Sequence, residues 1–235
     1  MNKHSAINIT ALRKCYNCSM QTNSFDGWLD ELAAKQPTPG GGAVAALSVA
    51  VGAALVGMVS VYTTGPKWQA VSEQMQAMHD DAARLRAQAL ALMETDAQVF
   101  KRVGAAYKLP QASDQQKTER LRAIQVALAA AAEPPQAVIN VARPLLLHCQ
   151  TLLQIGNPSV LSDVAVAASN LRAGIDAAIV NIAINAKLIT DKPVQSTLLG
   201  NINEAEALLP QADDLVRQVH ARLAAGSPGA GRIRR

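Results

Sequence analysis

Gln36-Pro37-Thr38-Pro39-Gly40-Gly41-Gly42 and the apolar run behind it, residues 43–62, constrain this chain more than any other stretch. The prolines fix the approach and stop a preceding helix, because a residue ahead of proline is pushed out of the α region. The glycines let another group come close to the main chain. The run that follows reads as a buried helix. A glycine turn feeding a helix start presents free N–H groups and the positive end of the helix dipole, a setting for an anion or a polar ligand. The same turn also suits a tight interhelix link with glycines used for packing, and spacing alone does not choose between the two. No Gly-Lys-Ser/Thr follows, so this is not a Walker-type phosphate loop. No strand pattern precedes it, which excludes the dinucleotide fingerprint.

The rest of the chain reads as helix. Ser24 is placed to cap an amphipathic helix over residues 25–35, with Phe25, Trp28, Leu29 and Leu32 at helical spacing. The 43–62 run, about 20 residues, is long enough to cross a bilayer. It is built from Ala, Gly and Ser and lacks an aromatic belt and a basic flank. A central helix of a bundle, with no membrane, is therefore expected. A long helix over 67–104 carries a stripe of Met75, Met78, Leu85 and Leu92. After a loop at 109–114, helix resumes to Ala132, is interrupted at Pro134-Pro135, and continues past Pro144 to about Leu153. Gly156-Asn157-Pro158 breaks the chain before a helix over 159–190, which Asp191-Lys192-Pro193 ends. Helical stretches at 203–209 and 212–225 hinge on Pro210.

There is no strand alternation and no internal repeat. The expected fold is all-α: one antiparallel helical bundle over residues 24–225, with long helices around a buried Ala/Gly-rich central one. A disordered leader, 1–23, and a flexible basic tail, 226–235, flank it; Met20 is read as an alternative start of translation. Composition agrees, because 49% hydrophobic with 3% aromatic residues means a core of Ala, Leu, Val and Ile, suited to close helix packing. The formal charge is +4, and Arg222, Arg232, Arg234 and Arg235 lie in or near the tail, so the body is close to neutral and does not point to nucleic acid.

Three cysteines form no framework of pairs, which fits a reducing, cytoplasmic setting. The N-terminus holds no apolar core of signal-peptide length. Cys15 and Cys18 make a C-x-x-C with only Cys149 left to join them, so no metal is expected. His4, His79, His148 and His220 are scattered and read as surface or satisfied core residues.

Two lines of polar residues invite chemistry. On the 159–190 helix, Asp163, Asn170, Gly174, Asn181 and Asn185 fall within about 40° of one line, opposite Arg172, Asp176 and Lys187. The charged line reads as the solvated face. The amide line needs partners, either within the fold or on a ligand rich in donors and acceptors. Asp163 lies in the first helical turn, where the dipole favours its ionised form. Asp96 shares a face with Phe100, Val103 and Tyr107, so it is either paired in the fold or raised in pKa and available for acid–base work.

Pro37-Thr38-Pro39-Gly40-Gly41-Gly42-Ala43-Val44-Ala45-Ala46 resembles the hallmark of the formiminotransferase-cyclodeaminase C-terminal family. Asp96-Ala97-Gln98-Val99-Phe100 with Ala106-Tyr107-Lys108-Leu109-Pro110 is similar to its second block, although the family tends to have Ala where Val99 stands. Gly156-Asn157, Ser162-Asp163-Val164-Ala165-Val166-Ala167-Ala168, Asn181 and Ile184-Asn185 resemble its third. The resemblance spans about residues 24 to 200. It implies an antiparallel helical homodimer acting on tetrahydrofolate one-carbon adducts, as formiminotetrahydrofolate cyclodeaminase or methenyltetrahydrofolate cyclohydrolase. The turn of Pro37, Thr38, Pro39, Gly40, Gly41 and Gly42 would line the folate pocket.

Cyclodeamination closes a ring: N10 attacks the formimino carbon and ammonia leaves. Cyclohydrolysis opens the cationic methenyl bridge with water. Either needs a base, and Asp163 or Asp96 would supply it or a charge partner, with Asn181 and Asn185 orienting pterin or bridge atoms. The anionic glutamate tail would meet the helix start after Gly42, or Lys67. The alternative is a helical folate-binding or scaffold protein without turnover.

Overall fold

The computed structural model describes residues 25–225. The leader, the tail, Ser24 as a cap, the Cys15–Cys18 motif, Met20 and His4 lie outside them. The described chain forms α1 (Phe25–Ala33), α2 (Gly41–Tyr62), α3 (Ser72–Tyr107), α4 (Asp114–Ala131), α5 (Glu133–Ile155), α6 (Leu161–Leu188), α7 (Lys192–Glu206) and α8 (Leu209–Ala224), with no strand among the described residues. It is the all-α bundle expected from the pattern.

At the centre is α2, packed against α3, α5 and α6. It carries no charged residue, and a helix apolar all round requires burial on most sides. By length and apolarity it would pass as a membrane span, yet Ala45, Ala46, Val49, Val56 and Val59 are wholly enclosed by neighbouring helices. α6 lies antiparallel to it. At one end Asn181 meets Gly41; at the other, the Asn157 amide donates to the Tyr62 carbonyl at 2.7 Å and the Asn157 N–H to the Thr63 hydroxyl at 3.0 Å. Between these ends the two backbones come close at Gly174, where a Cβ would stand 2.9 Å from the Ala45 carbonyl. α3 is also antiparallel to α2, with the His79 ring at Gly57 and Asp96 at Gly42.

One side of α2 stays open. Val44, Leu47, Leu55 and Met58 are half-buried and Val51 and Tyr62 exposed, all on one helical stripe.

Helix boundaries depart from expectation in two places. A short 3-10 turn, Pro66–Val71, precedes α3, so Lys67 lies outside the long helix, its ammonium 4.9 Å from the Trp68 ring centroid. Asp191-Lys192-Pro193 ends α6 but also starts α7, which was not expected before Asn203: the Asp191 side chain accepts the Val194 N–H at 3.2 Å and Pro193 sits in the first turn, where its missing N–H costs nothing.

Candidate active site

The head of α2 lacks a cap of its own. Gly40 occupies the cap position with extended backbone and no side chain to accept from the first turn. The polar partner at this helix start comes from α3: the Asp96 carboxylate lies against Gly42 and faces the Ala43 N–H. Ala43 is the third helical residue, the one a cap side chain ordinarily serves. Gly42 makes the approach feasible, since a Cβ there would overlap the carboxylate. The Thr38–Pro39 bond is cis, and Thr38, Pro39 and Gly40 are half-buried beside the turn while Pro37 is exposed.

Burial pushes the Asp96 carboxyl above its ordinary value of 3.8, and the Ala43 hydrogen bond partly opposes that rise. Asp96 is therefore a partly desolvated carboxylate at the positive end of a long helix, with Phe100 exposed one turn further along α3.

Asn181 completes the other side. Its Nδ2 donates to the Ala177 carbonyl at 2.7 Å and lies 3.8 Å from where a Cβ would stand on Gly41. One of its two amide N–H groups is committed to its own helix, which leaves the oxygen as an acceptor and the second N–H as a donor for a ligand. Asn185 is tied into the fold: its Nδ2 donates to the Asn181 carbonyl at 3.0 Å and to the Ala131 carbonyl at 3.3 Å, fixing the end of α4 against α6. Within one chain the structure thus brings together Asp96, the glycine turn and Asn181, with Asn185 one turn behind. Asp163 stands apart at the opposite end of α6, about 27 Å from Asn181 by helical rise. Asn170 donates to its own helix at Val166, 2.8 Å. Lys67 also belongs to the far end of α2.

Sequence reasoning missed the polar link between α5 and α3. His148 Nε2 and Asp81 Oδ2 are 2.9 Å apart, joining α5 to α3, and Arg84 also bonds Asp81. Desolvation would raise the Asp81 carboxyl; the hydrogen bonds from His148 and Arg84 outweigh it and hold the group below 3.8. The pair lies about 22 Å along α3 from Asp96 and acts as a clamp between helices. His148 and His79, whose Nδ1 is 3.2 Å from the Gly57 carbonyl, are the satisfied histidines expected. Burial pushes the Cys149 thiol up to about 12, so it is inert as a nucleophile. Among the described residues no three His, Cys, Asp or Glu side chains are grouped to share a metal ion.

Residues 24–204 match the family described as formiminotransferase-cyclodeaminase. The chain is 34% identical over 198 residues to a methenyltetrahydrofolate cyclohydrolase of Methylorubrum extorquens, covering 84% of this chain and 94% of that protein. It is 34% identical to the formimidoyltransferase-cyclodeaminase of Mus musculus, covering 74% of this chain and 32% of that longer protein. The crystal structure of a formiminotetrahydrofolate cyclodeaminase from Thermotoga maritima superposes with a TM-score of 0.74 at 30% identity, covering 86% of this chain and 96% of that one. With the motif blocks, the helical fold and these relatives in agreement, the chain belongs to the formiminotransferase-cyclodeaminase family.

Proposed function

We propose that this chain is a folate one-carbon enzyme acting on the C1 bridge of tetrahydrofolate, as a methenyltetrahydrofolate cyclohydrolase, a formiminotetrahydrofolate cyclodeaminase or both. The observation that supports it is the Asp96 carboxylate held at the head of α2 with Asn181 beside the same glycine turn. The substrate follows from the relatives, of which the Methylorubrum protein is matched over nearly its whole length.

In the cyclohydrolase direction, water adds to the methenyl carbon, Asp96 takes a water proton, and the bridge opens to the formyl product. The negative charge of Asp96 also favours the cationic bridge in the bound substrate. In the cyclodeaminase direction, Asp96 takes the N10 proton as N10 attacks the formimino carbon, and the proton is returned to the departing ammonia. A carboxylate made more basic by burial suits both roles. The turn from Pro37 to Gly42 lines the pocket, the Asn181 oxygen accepts from the pterin, and Asn185 holds that helix end in place. No step is assigned to a metal, and the protein is placed in the cytoplasm without nucleic-acid or membrane partners.

The open stripe on α2 supports a homodimer. A two-fold axis in the plane of that face and across α2 would lay the Tyr62 end of one chain over the Gly41 end of the other, with the α6 helices antiparallel. The partner's Asp163 would then reach the level of Asn181, which gives that carboxylate a place at the site that its own chain denies it.

Loss of methenyl absorbance with purified protein, run beside ammonia release from the formimino substrate, tests the assignment. Turnover of either identifies the enzyme and its preferred adduct. Folate binding with neither reaction would establish the alternative, a non-catalytic folate-binding protein.

A further inference from the structure

We propose that the groove between α3 and α4 seats the p-aminobenzoyl-glutamate arm of the substrate, with Arg102 and Arg122 taking its carboxylates; this rests on the folate reading above. The groove, ≈ 580 Å³, is walled by Ala105, Ala106, Ala123 and Ala127, with the two arginines on either side. The alanines keep the floor of the slot low between Leu109 and Val126, a shape that admits a flat ring. Arg102 lies six residues beyond Asp96, about 9 Å of helical rise. Ala130, also in the groove, precedes the Ala131 carbonyl that Asn185 holds. Along the helix axes the groove therefore begins near the level of the candidate active site, about a third of a turn round α3 from Asp96.

Charge selects the occupant. Arg84, Arg143, Arg172 and Arg217 each pair with a carboxylate; Arg102 and Arg122, like Arg86, Arg120 and Arg222, have no carboxylate partner among the described residues, and of these five only Arg102 and Arg122 line the groove. Glu119 shares the wall and offsets part of their charge. Between residues 98 and 131 the chain carries six basic side chains and two acidic ones, a net +4 equal to the formal charge of the whole protein. A body that is neutral in sum is thus strongly basic at this one hairpin. Guanidinium groups free of partners, at the mouth of an apolar slot, match a ligand whose ring ends in carboxylates. Lys67, at the opposite end of α2, does not fit that role.

The test compares kcat/KM for methenyltetrahydrofolate with that for the methenyl derivative of tetrahydropteroate, which lacks the glutamate. Wild-type protein is expected to prefer the glutamate-bearing substrate by about tenfold or more, mainly through KM. In the double variant Arg102→Ala/Arg122→Ala the preference should fall to within about twofold of unity, while Arg86→Ala, which removes a charge elsewhere on α3, should retain it. A double variant that keeps the full preference, or a wild-type protein with none, overturns the groove assignment and leaves the folate reading standing. A wild-type protein that turns over neither compound overturns both. Both arginines are exposed, and unchanged thermal melting confirms that the variant is folded.

Discussion

The carboxylate of Asp96 lies against Gly42 and faces the Ala43 N–H, so a residue of α3 supplies the polar partner at the head of α2. A cap within its own sequence would have filled the turn at Gly40–Gly42 with a side chain. Supplying the acceptor from α3 instead leaves the glycines bare and puts a carboxylate where a ligand can approach it. The rise in its pKa from burial is the energetic consequence of that placement.

Stability should reveal this conflict. A folded-state pKa above the unfolded value means that the ionised form is disfavoured in the fold, so the stability linked to Asp96 is greatest at low pH and is lost as pH rises through the folded pKa. Asp96→Asn keeps the shape and an oxygen for Ala43 but carries no charge. Its melting temperature at neutral pH is expected to equal or exceed that of wild type. A fall of several degrees would show that the ionised carboxylate stabilises the fold.

In the proposed mechanism the same shift should set the acid limb of activity. The base is the ionised form, so turnover should fall as pH drops through the raised Asp96 value, with an apparent midpoint above the ordinary 3.8. A kcat/KM profile flat down to that value would remove Asp96 from the proton transfer.

Gly42→Ala and Gly40→Ala make a paired test of the close approach. A Cβ on Gly42 overlaps the Asp96 carboxylate, whereas one on Gly40 meets nothing within 4 Å. The first should cost about 1–3 kcal/mol by overpacking, and the second should stay within about 0.5 kcal/mol of wild type in chemical denaturation. Equal losses would mean that the turn, and not the contact, is the sensitive feature.

Subunit sharing has its own signature. Val51→Arg, in the middle of the open stripe on α2, should convert a dimer to monomer in light scattering. If the partner's Asp163 serves the site, Asp96→Asn and Asp163→Asn proteins, each inactive alone, should recover about a quarter of wild-type activity after mixing and subunit exchange, from the one intact site in each mixed dimer. No recovery despite exchange would confine the chemistry to one chain.

The fold was legible because helix punctuation in this chain is strong. Pro37 and Pro39, Pro110, Pro134-Pro135 and Gly156-Asn157-Pro158 mark breaks that the structure keeps. Where a signal served two helices, as at Asp191-Lys192-Pro193, a single reading lost the second one. The site was legible only in pieces. Asp96 stood out because it shares a helical face with Phe100, Val103 and Tyr107, and Asn181 because it is polar within an apolar stretch, but periodicity along one helix cannot say which end of it meets another. Asp163 and Asn181 share a line on α6 and are nonetheless some five turns apart. The Arg102–Arg122 groove was invisible for a related reason: those residues lie on different helices, and a net charge taken over the whole chain hides a basic hairpin balanced elsewhere.

The most direct measurement is kcat of Asp96→Asn against wild type, on methenyltetrahydrofolate and formiminotetrahydrofolate at neutral pH. Loss of the base should lower turnover by about 100-fold or more on whichever adduct the wild-type protein consumes, in a protein that melts no earlier than wild type. Undiminished turnover by the folded variant would contradict the account, because the carboxylate at the head of α2 would then have no part in the chemistry.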